Sequence, residues 1–594
     1  MRRRLLIDLG VLLALVVSLS QLHLITSGGG LGGGLALGAL AVALLLWCRR
    51  PLTSLATLLR REAWARQDLL LASGLFALAL FLRVWGNSGC SLPGEEALLS
   101  AARSSMGLLL AGDLSSSSWQ WSRGAPLGAA LVYSPATLFA DALMAGRVLS
   151  ALFGALTAAL LFVAGREIFG RGVALVAGLI TVVLPPLVAA GREVSVEGVA
   201  SLCYLLTVWF FWRGCSLWRA VIEAEVEGEQ EHALSARRAF WGAGLALGST
   251  LALQLAGLSV VVVVLAIFFG VLGGRLFRRG ALRFPGALVA LPALALFAAL
   301  LWQPGLWTRP LTGFAEQLLA ANAATQPLSP WEPLLWLTSR APIWLWLFAL
   351  GGAMRALGLF SSRQKVSQEV WRRRVGGALA VLWLLAPLSA ATLTGLRGGD
   401  ALHVSQWVTP ALLALCLLAA SGVEAMARIA ASALRRDDLL RGDLRRSLMA
   451  FGGGALLLLL FVGVLGFHPH LAAYHSGWPL RGEGMIQARR RQRAAHGALD
   501  EAMRYVARAA RSGEEVALDT DLIQRIKGGA LPGRADVKLI ELKMPLTHGA
   551  KAPHWLISAT IGGAPMGYGV AKALRAGDSV LLRVFRRRDP EDGS

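Results

Sequence analysis

The sequence is poor in charge and in cysteine for a chain of its length. Only 16% of its 594 residues are charged, 55% are hydrophobic, and the mean hydropathy is +0.58. A soluble protein of this length needs more polar surface, so the composition argues against a soluble fold. The five cysteines show no paired spacing, which gives no sign of a disulfide framework or of a cysteine-based metal site.

Nucleotide-binding loops are also missing. The chain has no GxxxxGK(S/T) loop and no convincing GxGxxG fingerprint, because the glycine run at 28–34 lacks the strand and helix context. Acidic residues are few, and the formal net charge is +22. Much of the positive charge lies in short segments between apolar runs, where Lys and Arg mark the cytoplasmic side of a membrane. We therefore expect no nucleic-acid partner.

Long apolar runs rich in Leu, Ala, Val and Gly recur along most of the chain. A hydrocarbon core roughly 30 Å thick needs about 20 apolar residues per helix, and runs without alternation favour helices over a barrel. We predict about thirteen spans, at 5–25, 31–47, 69–86, 146–165, 172–190, 198–214, 239–255, 257–274, 285–302, 341–359, 376–395, 405–424 and 449–467. The pair at 239–274 is also compatible with one long tilted helix and a re-entrant piece.

Positive charge assigns the two sides of the membrane. Basic segments fall in alternate loops, which places the N-terminus in the cytoplasm. An odd number of spans then places residues 468–594 on the extracytoplasmic face of the plasma (inner) membrane. We expect a retained N-terminal hairpin and linker at 1–68, and a transmembrane domain at 69–467 with a long outer loop at 87–145.

The C-terminal segment has a different pattern. A basic amphipathic helix is predicted at 488–512, with Leu499, Met503 and Val506 on one face. Short apolar runs separated by turn residues follow, which predicts strands near 516–518, 537–540, 554–557 and 579–584. We expect a small extracytoplasmic α/β domain.

An acidic pair, Glu95 and Glu96, opens the long outer loop. One carboxylate can act as a general base, and the other can orient a substrate or bind a cation. The alternative is a helix N-terminus, where acidic residues after Pro-Gly stabilise the helix dipole. Further along the loop stand Trp119, Trp121 and Tyr133. Tryptophan near a membrane is usually an interfacial anchor, although it also stacks on sugar rings.

Charged residues in the other predicted outer loops complete the candidate set. Arg192 and Glu197 lie in a segment that joins two spans almost without a loop, where charges are costly unless they are functional or paired. The alternative to a functional role is a structural ion pair of Arg192 with Glu197 or with Glu193. Arg309, Arg340 and Arg397 run against the positive-inside trend, and His403 follows Arg397. Guanidinium groups suit a phosphate-bearing lipid, while the alternative is snorkelling at helix ends.

In their order along residues 69–480, these features resemble the GT-C membrane glycosyltransferases of the protein O-mannosyltransferase, lipid A aminoarabinose transferase and rhizobial galacturonosyltransferase-like group. The matching pieces are Glu95-Glu96-Ala97, the proline-containing return at 124–133, the arginine-containing helix at 146–152, Arg192 with Glu197, the segment 302–310 and the exit at 467–475. Members of the group usually have Asp-Glu in the outer pair and Asp in place of Glu197.

The resemblance implies an inverting transferase with its catalytic domain at 69–467. Glu95 and Glu96 would be catalytic; Arg192, Arg309, Arg340, Arg397 and His403 would bind the donor phosphate; Glu197, Trp119, Trp121 and Tyr133 would position substrate. The co-substrate would be a polyprenyl-phosphate sugar and the acceptor a glycan, lipid or protein hydroxyl. No metal site is predicted, although a divalent cation is left open.

Two other function classes remain open from the sequence. A lipid or sugar transporter, or a flippase, would also have many spans, but it more often shows internal repeats and charges at mid-membrane. A non-catalytic envelope-assembly protein is compatible with the change from Asp-Glu to Glu-Glu.

Overall fold

The computed structural model describes most of the chain after residue 65. The described residues are 66–85, 95, 98–105, 127–223, 229–253, 258–273, 285–301, 332–356, 368–395, 401–434, 438–467, 498–499, 501–519, 530–531, 534–542, 553–559, 565, 568–576 and 579–587. The first two predicted spans, 5–25 and 31–47, lie outside these residues.

Helices dominate the chain up to residue 467, as the continuous apolar runs predict. They are α1 (Arg66–Val84), α2 (Leu127–Tyr133), α3 (Ala142–Phe169), α4 (Arg171–Val183), α5 (Pro185–Ala190), α6 (Val196–Glu223), α7 (Glu229–Leu253), α8 (Leu258–Phe268), α9 (Ala287–Leu301), α10 (Glu332–Arg340), α11 (Ile343–Ala356), α12 (Gln368–Gly395), α13 (Ala401–Leu434) and α14 (Asp438–Phe467). Each of the eleven predicted spans from 69 onward falls on these helices. In the pair at 239–274, the described residues form α7 up to Leu253 and α8 from Leu258.

Five helices of the described residues are long and apolar enough to cross a membrane. They lie at Gln67–Val84, Ala142–Phe169, Val196–Ile222, Val408–Leu434 and Asp443–Leu465. Shorter apolar helices occupy Arg171–Val183, Ser259–Leu272, Ala287–Ala299, Ile343–Ala356 and Arg374–Ala390. Among these five, the helix at Val408–Leu434 is the most enclosed, because 94% of its most apolar stretch is buried. It forms the centre of the bundle.

The predicted span at 172–190 is broken in the structure. Helix α4 ends at Val183, Leu184 is extended, and α5 begins at Pro185. A proline has no N–H to donate and is tolerated in the first turn of a helix, so Pro185 and Pro186 end one helix and start the next. A tight turn at 191–195 then joins α5 to α6.

Glycine allows the central helices to approach closely. A Cβ atom on Gly352 of α11 would overlap the carbonyl of Leu418, and one on Gly422 of α13 would overlap the carbonyl of Phe348. The two backbones therefore meet directly, which small residues permit between membrane helices.

The C-terminal segment forms the predicted α/β domain. Its strands are β1 (Glu515–Leu518), β2 (Ala530–Leu531), β3 (Arg534–Glu541), β4 (Trp555–Ser558), β5 (Tyr568–Ala576) and β6 (Ser579–Arg587), in the order β2-β3-β1-β4-β6-β5. Strand β1 pairs in parallel with β3 and β4, and the other pairs are antiparallel. The helix at 501–509 packs on the sheet through Met503 and Val506, which confirms the predicted apolar face.

Candidate active site

Glu95 is buried and held by an arginine from α3. Its carboxylate is bound bidentately by Arg147, whose Nε lies 2.8 Å from Oε1 and whose Nη2 lies 2.7 Å from Oε2. The side chains are only 5% and 2% exposed, for Arg147 and Glu95 respectively. A buried carboxylate is stable only when it is paired and hydrogen-bonded, and this pair meets both conditions.

A backbone amide completes the environment of Glu95. The N–H of Val194, in the turn between α5 and α6, donates to Oε1 at 2.8 Å. The Val194 side chain also lies against Gly146, directly before Arg147 on α3. Three structural elements therefore converge on one carboxylate. Both carboxylate oxygens of Glu95 therefore accept hydrogen bonds.

Local sequence explains where Arg147 lies. Asp141 caps α3, because its side chain accepts a hydrogen bond from the N–H of Met144 at 2.9 Å. Arg147 follows within the first two turns and points inward among apolar neighbours. Gly146 leaves room for the 191–195 turn, since a Cβ there would lie 2.9 Å from the Val194 side chain.

Tyr133, predicted to position substrate, lies beside this carboxylate. Its hydroxyl is 2.6 Å from Ser150 Oγ on α3 and donates to the Ser195 carbonyl at 2.8 Å. Burial raises the pKa of the phenol well above its usual value, and the carboxylates of Glu95 and Glu197 add to the rise. Tyr133 is therefore electrostatically coupled to both acids and ties α2, α3 and the turn together.

Glu197, at the start of α6, is the more accessible of the two described acids. It is half-buried, and Thr409 of α13 donates a 3.4 Å hydrogen bond to Oε2. This contact spans 212 residues along the chain, so it links the acidic region to the central helix α13. Glu95, Tyr133 and Glu197 therefore lie in one region around the 191–195 turn, and their predicted roles stay predictions.

Arg192 contacts backbone carbonyls at the end of α1. It donates to the Leu82 carbonyl from Nε at 3.2 Å and from Nη2 at 2.9 Å, and it also donates to the Trp85 carbonyl. Burial lowers the pKa of this guanidinium to about 10. The bonds to carbonyls give Arg192 a structural task beside the phosphate-binding role that we predicted for it.

Arg340 lies at the C-terminal end of α10. It is 8% exposed, and its guanidinium lies 4.9 Å from the centroid of the Trp336 ring. A cation over an aromatic face is stabilised by the ring quadrupole, more strongly when it is desolvated. Helix α10 packs against α13, the helix that carries Thr409.

The other predicted site residues are not placed. Glu96, Trp119, Trp121, Arg309 and Arg397 lie outside the described residues, and His403 is placed only as a backbone position in the first turn of α13. Their predicted roles stay predictions. In the described part of the chain, no group of three or more His, Cys, Asp or Glu side chains could hold a metal ion.

Sequence reasoning missed the roles of Arg147, Thr409 and Arg83. Arg147 belonged to a segment of family resemblance but had no assigned role, and Arg83 had none. An arginine inside an apolar helical run was the available signal, because such a charge is costly and needs a partner. The partner could not be named, since Glu95 lies 52 residues away from Arg147 along the chain.

Residues 123–221 match the family model described as dolichyl-phosphate-mannose-protein mannosyltransferase. The predicted resemblance is confirmed for this segment. The matched segment contains Tyr133, Arg147, Arg192, Val194 and Glu197, which supply most of the described site. No curated protein matches the chain.

Several solved membrane glycosyltransferases are distantly similar to this chain. ArnT from Cupriavidus metallidurans, bound to undecaprenyl phosphate, has 13% identity over 88% of this chain and 98% of its own, with a TM-score of 0.43. The oligosaccharyltransferase AglB from Archaeoglobus fulgidus has 12% identity over 84% and 70%, with a TM-score of 0.42. The arabinosyltransferase EmbB from Mycobacterium smegmatis has 15% identity over 80% and 47%, with a TM-score of 0.37.

Proposed function

We propose that this chain is an inverting membrane glycosyltransferase. It moves a sugar from a polyprenyl-phosphate donor to a hydroxyl group of a glycan, lipid or protein. The observation that carries the proposal is a buried Glu95 carboxylate that accepts hydrogen bonds from Arg147 and from the Val194 N–H. Tyr133 is coupled electrostatically to both Glu95 and Glu197. Its α3 and α5–α6 components lie inside the segment that matches a mannosyltransferase family model.

The two acids of the outer pair have different tasks in this proposal. Glu95 is 1% exposed and bonded through both oxygens, so it anchors the start of the loop. Glu96, the next residue, removes the proton of the acceptor hydroxyl. The hydroxyl oxygen then bonds to the anomeric carbon as the bond from that carbon to the phosphate oxygen breaks, with inversion. The lipid phosphate leaves with the electron pair.

The leaving phosphate needs positive charge close by. We propose Arg340, Arg309, Arg397, Arg192 and His403 for this electrostatic role. Arg340 is supported by its burial and its position over Trp336. The donor class is the one that ArnT holds as undecaprenyl phosphate and AglB holds as dolichol-phosphate. Glu197, Tyr133, Trp119 and Trp121 would position the sugar and the acceptor.

We place the reaction on the extracytoplasmic face of the plasma membrane. The end of the bundle that carries Asp68, opposite Glu95, is rich in arginine (Arg166, Arg171, Arg213, Arg355, Arg428 and Arg445). Cytoplasmic ends of membrane helices carry this excess, so the Glu95 end faces outward. The C-terminal domain would then lie on the side of the site.

The test is a transfer assay in membranes with radiolabelled polyprenyl-phosphate mannose, galacturonate and aminoarabinose. We expect Glu96→Gln to lower transfer at least 100-fold with unchanged thermal stability, and Glu95→Gln to lower both. Glu197→Gln is the matched control for a nearby carboxylate and should lower transfer less. Equal transfer by wild type and all three variants would remove the acids from catalysis. No wild-type transfer, with movement of the lipid-linked sugar across the bilayer, would favour a transporter.

A further inference from the structure

Arg83 is a buried cation near the C-terminal end of α1. It is 1% exposed, and its guanidinium donates to three backbone carbonyls: Ala79 at 3.0 Å, Thr181 at 3.4 Å and Leu187 at 3.3 Å. Among the described residues, no carboxylate forms an ion pair with it. A charge so placed is costly, so its retention in an apolar helix needs a reason.

Two glycines make room for the Arg83 side chain. A Cβ on Gly154 of α3 would lie 2.5 Å from Arg83 Nε, and a Cβ on Gly191 after α5 would lie 2.6 Å from it. The side chain therefore passes between two stretches of bare backbone. This explains why its Nε has no hydrogen-bond acceptor in the described structure. Only glycine allows this approach at either position.

Arg192 forms the converse contact. Arg83, on α1, bonds the carbonyls at the α4–α5 break, while Arg192, just after α5, bonds the Leu82 and Trp85 carbonyls at the end of α1. The last carbonyls of a helix have no partner in their own helix and carry partial negative charge. Each arginine thus donates to carbonyls near the C-terminal end of a helix in the other's part of the chain. We call these two residues the arginine clasp.

The arginine clasp is directly connected to the acidic site. Arg192 is followed two residues later by Val194, whose N–H holds Glu95 at 2.8 Å. The end of α1, which Arg192 holds, leads along the chain to Glu95 itself. Displacement of the 191–195 turn would therefore move the amide donor away from the carboxylate. The Tyr133 bond to the Ser195 carbonyl depends on the same turn.

We propose that Arg83 is a positioning residue for the acidic site. Through the arginine clasp it holds the end of α1 against the 191–195 turn. It thereby keeps the Val194 N–H in position to bond Glu95. In the described part of the chain its hydrogen bonds go to backbone carbonyls, so we assign it no contact with the substrate. The expected effect on kcat rests on the proposed glycosyl transfer, whereas the expected effect on the 191–195 backbone does not.

The experiment compares wild type with Arg83→Met and Arg83→Lys in lipid nanodiscs. Hydrogen–deuterium exchange should show at least tenfold faster exchange of the 191–195 amides in Arg83→Met, with the middle of α6 unchanged. In the transfer assay, kcat per folded molecule should fall at least tenfold while the donor KM changes less than about twofold. Lysine keeps the charge but cannot bond both helices, so Arg83→Lys should recover only part of kcat.

Arg213→Met is the matched control, because Arg213 is equally buried but pairs with Glu167 at the opposite end of the bundle. It should lower thermal stability without altering kcat or exchange at 191–195. The proposal is overturned if Arg83→Met leaves exchange at 191–195 unchanged. It is equally overturned if exchange rises but kcat stays at the wild-type value. Absence of transfer by wild type would instead remove the proposed function, and the exchange result would still decide whether the clasp holds the turn.

Discussion

The two ends of the helical bundle use arginine differently. At the Asp68 end, carboxylates meet one or more arginines in ordinary ion pairs, and Asp68 itself lies 3.1 Å from Arg166 and 3.0 Å from Arg171. The other pairs there join Glu167 to Arg213, and Glu424 to Arg355, Arg428 and Arg445. At the Glu95 end, Arg147 binds Glu95 with both groups buried, and Arg83 and Arg192 bind backbone carbonyls.

Exposure separates most of the arginines at the Asp68 end from the Glu95–Arg147 pair, although Arg213 at that end is itself buried. The Arg171 and Arg445 side chains are 43% and 39% exposed, so water can solvate them if their partner is lost. Arg147 and Glu95 are 5% and 2% exposed, so neither can be solvated without the other. The arginine excess at the Asp68 end is the kind that marks the cytoplasmic side of a membrane, and we expect loss of one of its exposed arginines to cost little stability. The Glu95 end depends instead on the pairing of Arg147 with Glu95.

The largest effect is expected for Arg147→Met. It leaves the Glu95 carboxylate buried without its cation, which should destabilise the fold by about 3–5 kcal/mol. Thermal unfolding in detergent micelles measures this change. The double variant Glu95→Gln/Arg147→Met should be more stable than Arg147→Met alone, because the stranded charge is gone. A sum of the two single effects would mean that the residues act independently.

A smaller effect is expected for Asp68→Asn. The carboxylate is 3% exposed, but its partners Arg166 and Arg171 reach solvent, so the cost should be about 1–2 kcal/mol. Glycosyl transfer per folded molecule should stay at the wild-type level. A loss of transfer comparable to that of Arg147→Met would break the distinction between the two ends.

The smallest effect is expected for the exposed pair of Arg534 and Asp536 in the C-terminal domain. It extends the comparison from buried pairs to a pair that water can solvate. Arg534 bonds both oxygens of Asp536 at 2.8 Å and holds the pKa of that carboxyl well below its usual range. The Arg534–Asp536 pair therefore stabilises the folded domain fully at pH values above the unfolded-state pKa of about 4. This stabilisation is lost as the pH falls through the lower pKa of Asp536 in the folded state.

Asp536→Asn should accordingly lower the unfolding midpoint of the C-terminal domain slightly at pH 7. The difference from wild type should shrink as the pH is lowered towards 3, and it can be followed by hydrogen exchange of β3 amides. A difference that stays constant over this range would show that Asp536 acts through something other than its charge.

The helical spans were predictable because each is a continuous apolar run, a local property of the chain. Strands β1, β3, β4 and β6 were predictable for a similar reason, since short apolar runs alternate with turns, whereas β2 and β5 were not predicted. The break before Pro185 was readable in principle but was missed, because the apolar run continues through it. Of the predicted site residues, Glu95, Tyr133 and Glu197 lie in one region of the fold, and their predicted roles stay predictions.

By itself, the sequence determined that this is a helical membrane protein with an asymmetric charge distribution and a small α/β domain at its end. The tertiary structure alone decided which charges meet. Pairing of Glu95 with Arg147, of Glu197 with Thr409 and of Arg83 with the α4–α5 break depends on helices that are remote along the chain. Burial makes these contacts necessary for stability, because a charge shielded from water must be paired or hydrogen-bonded within the protein.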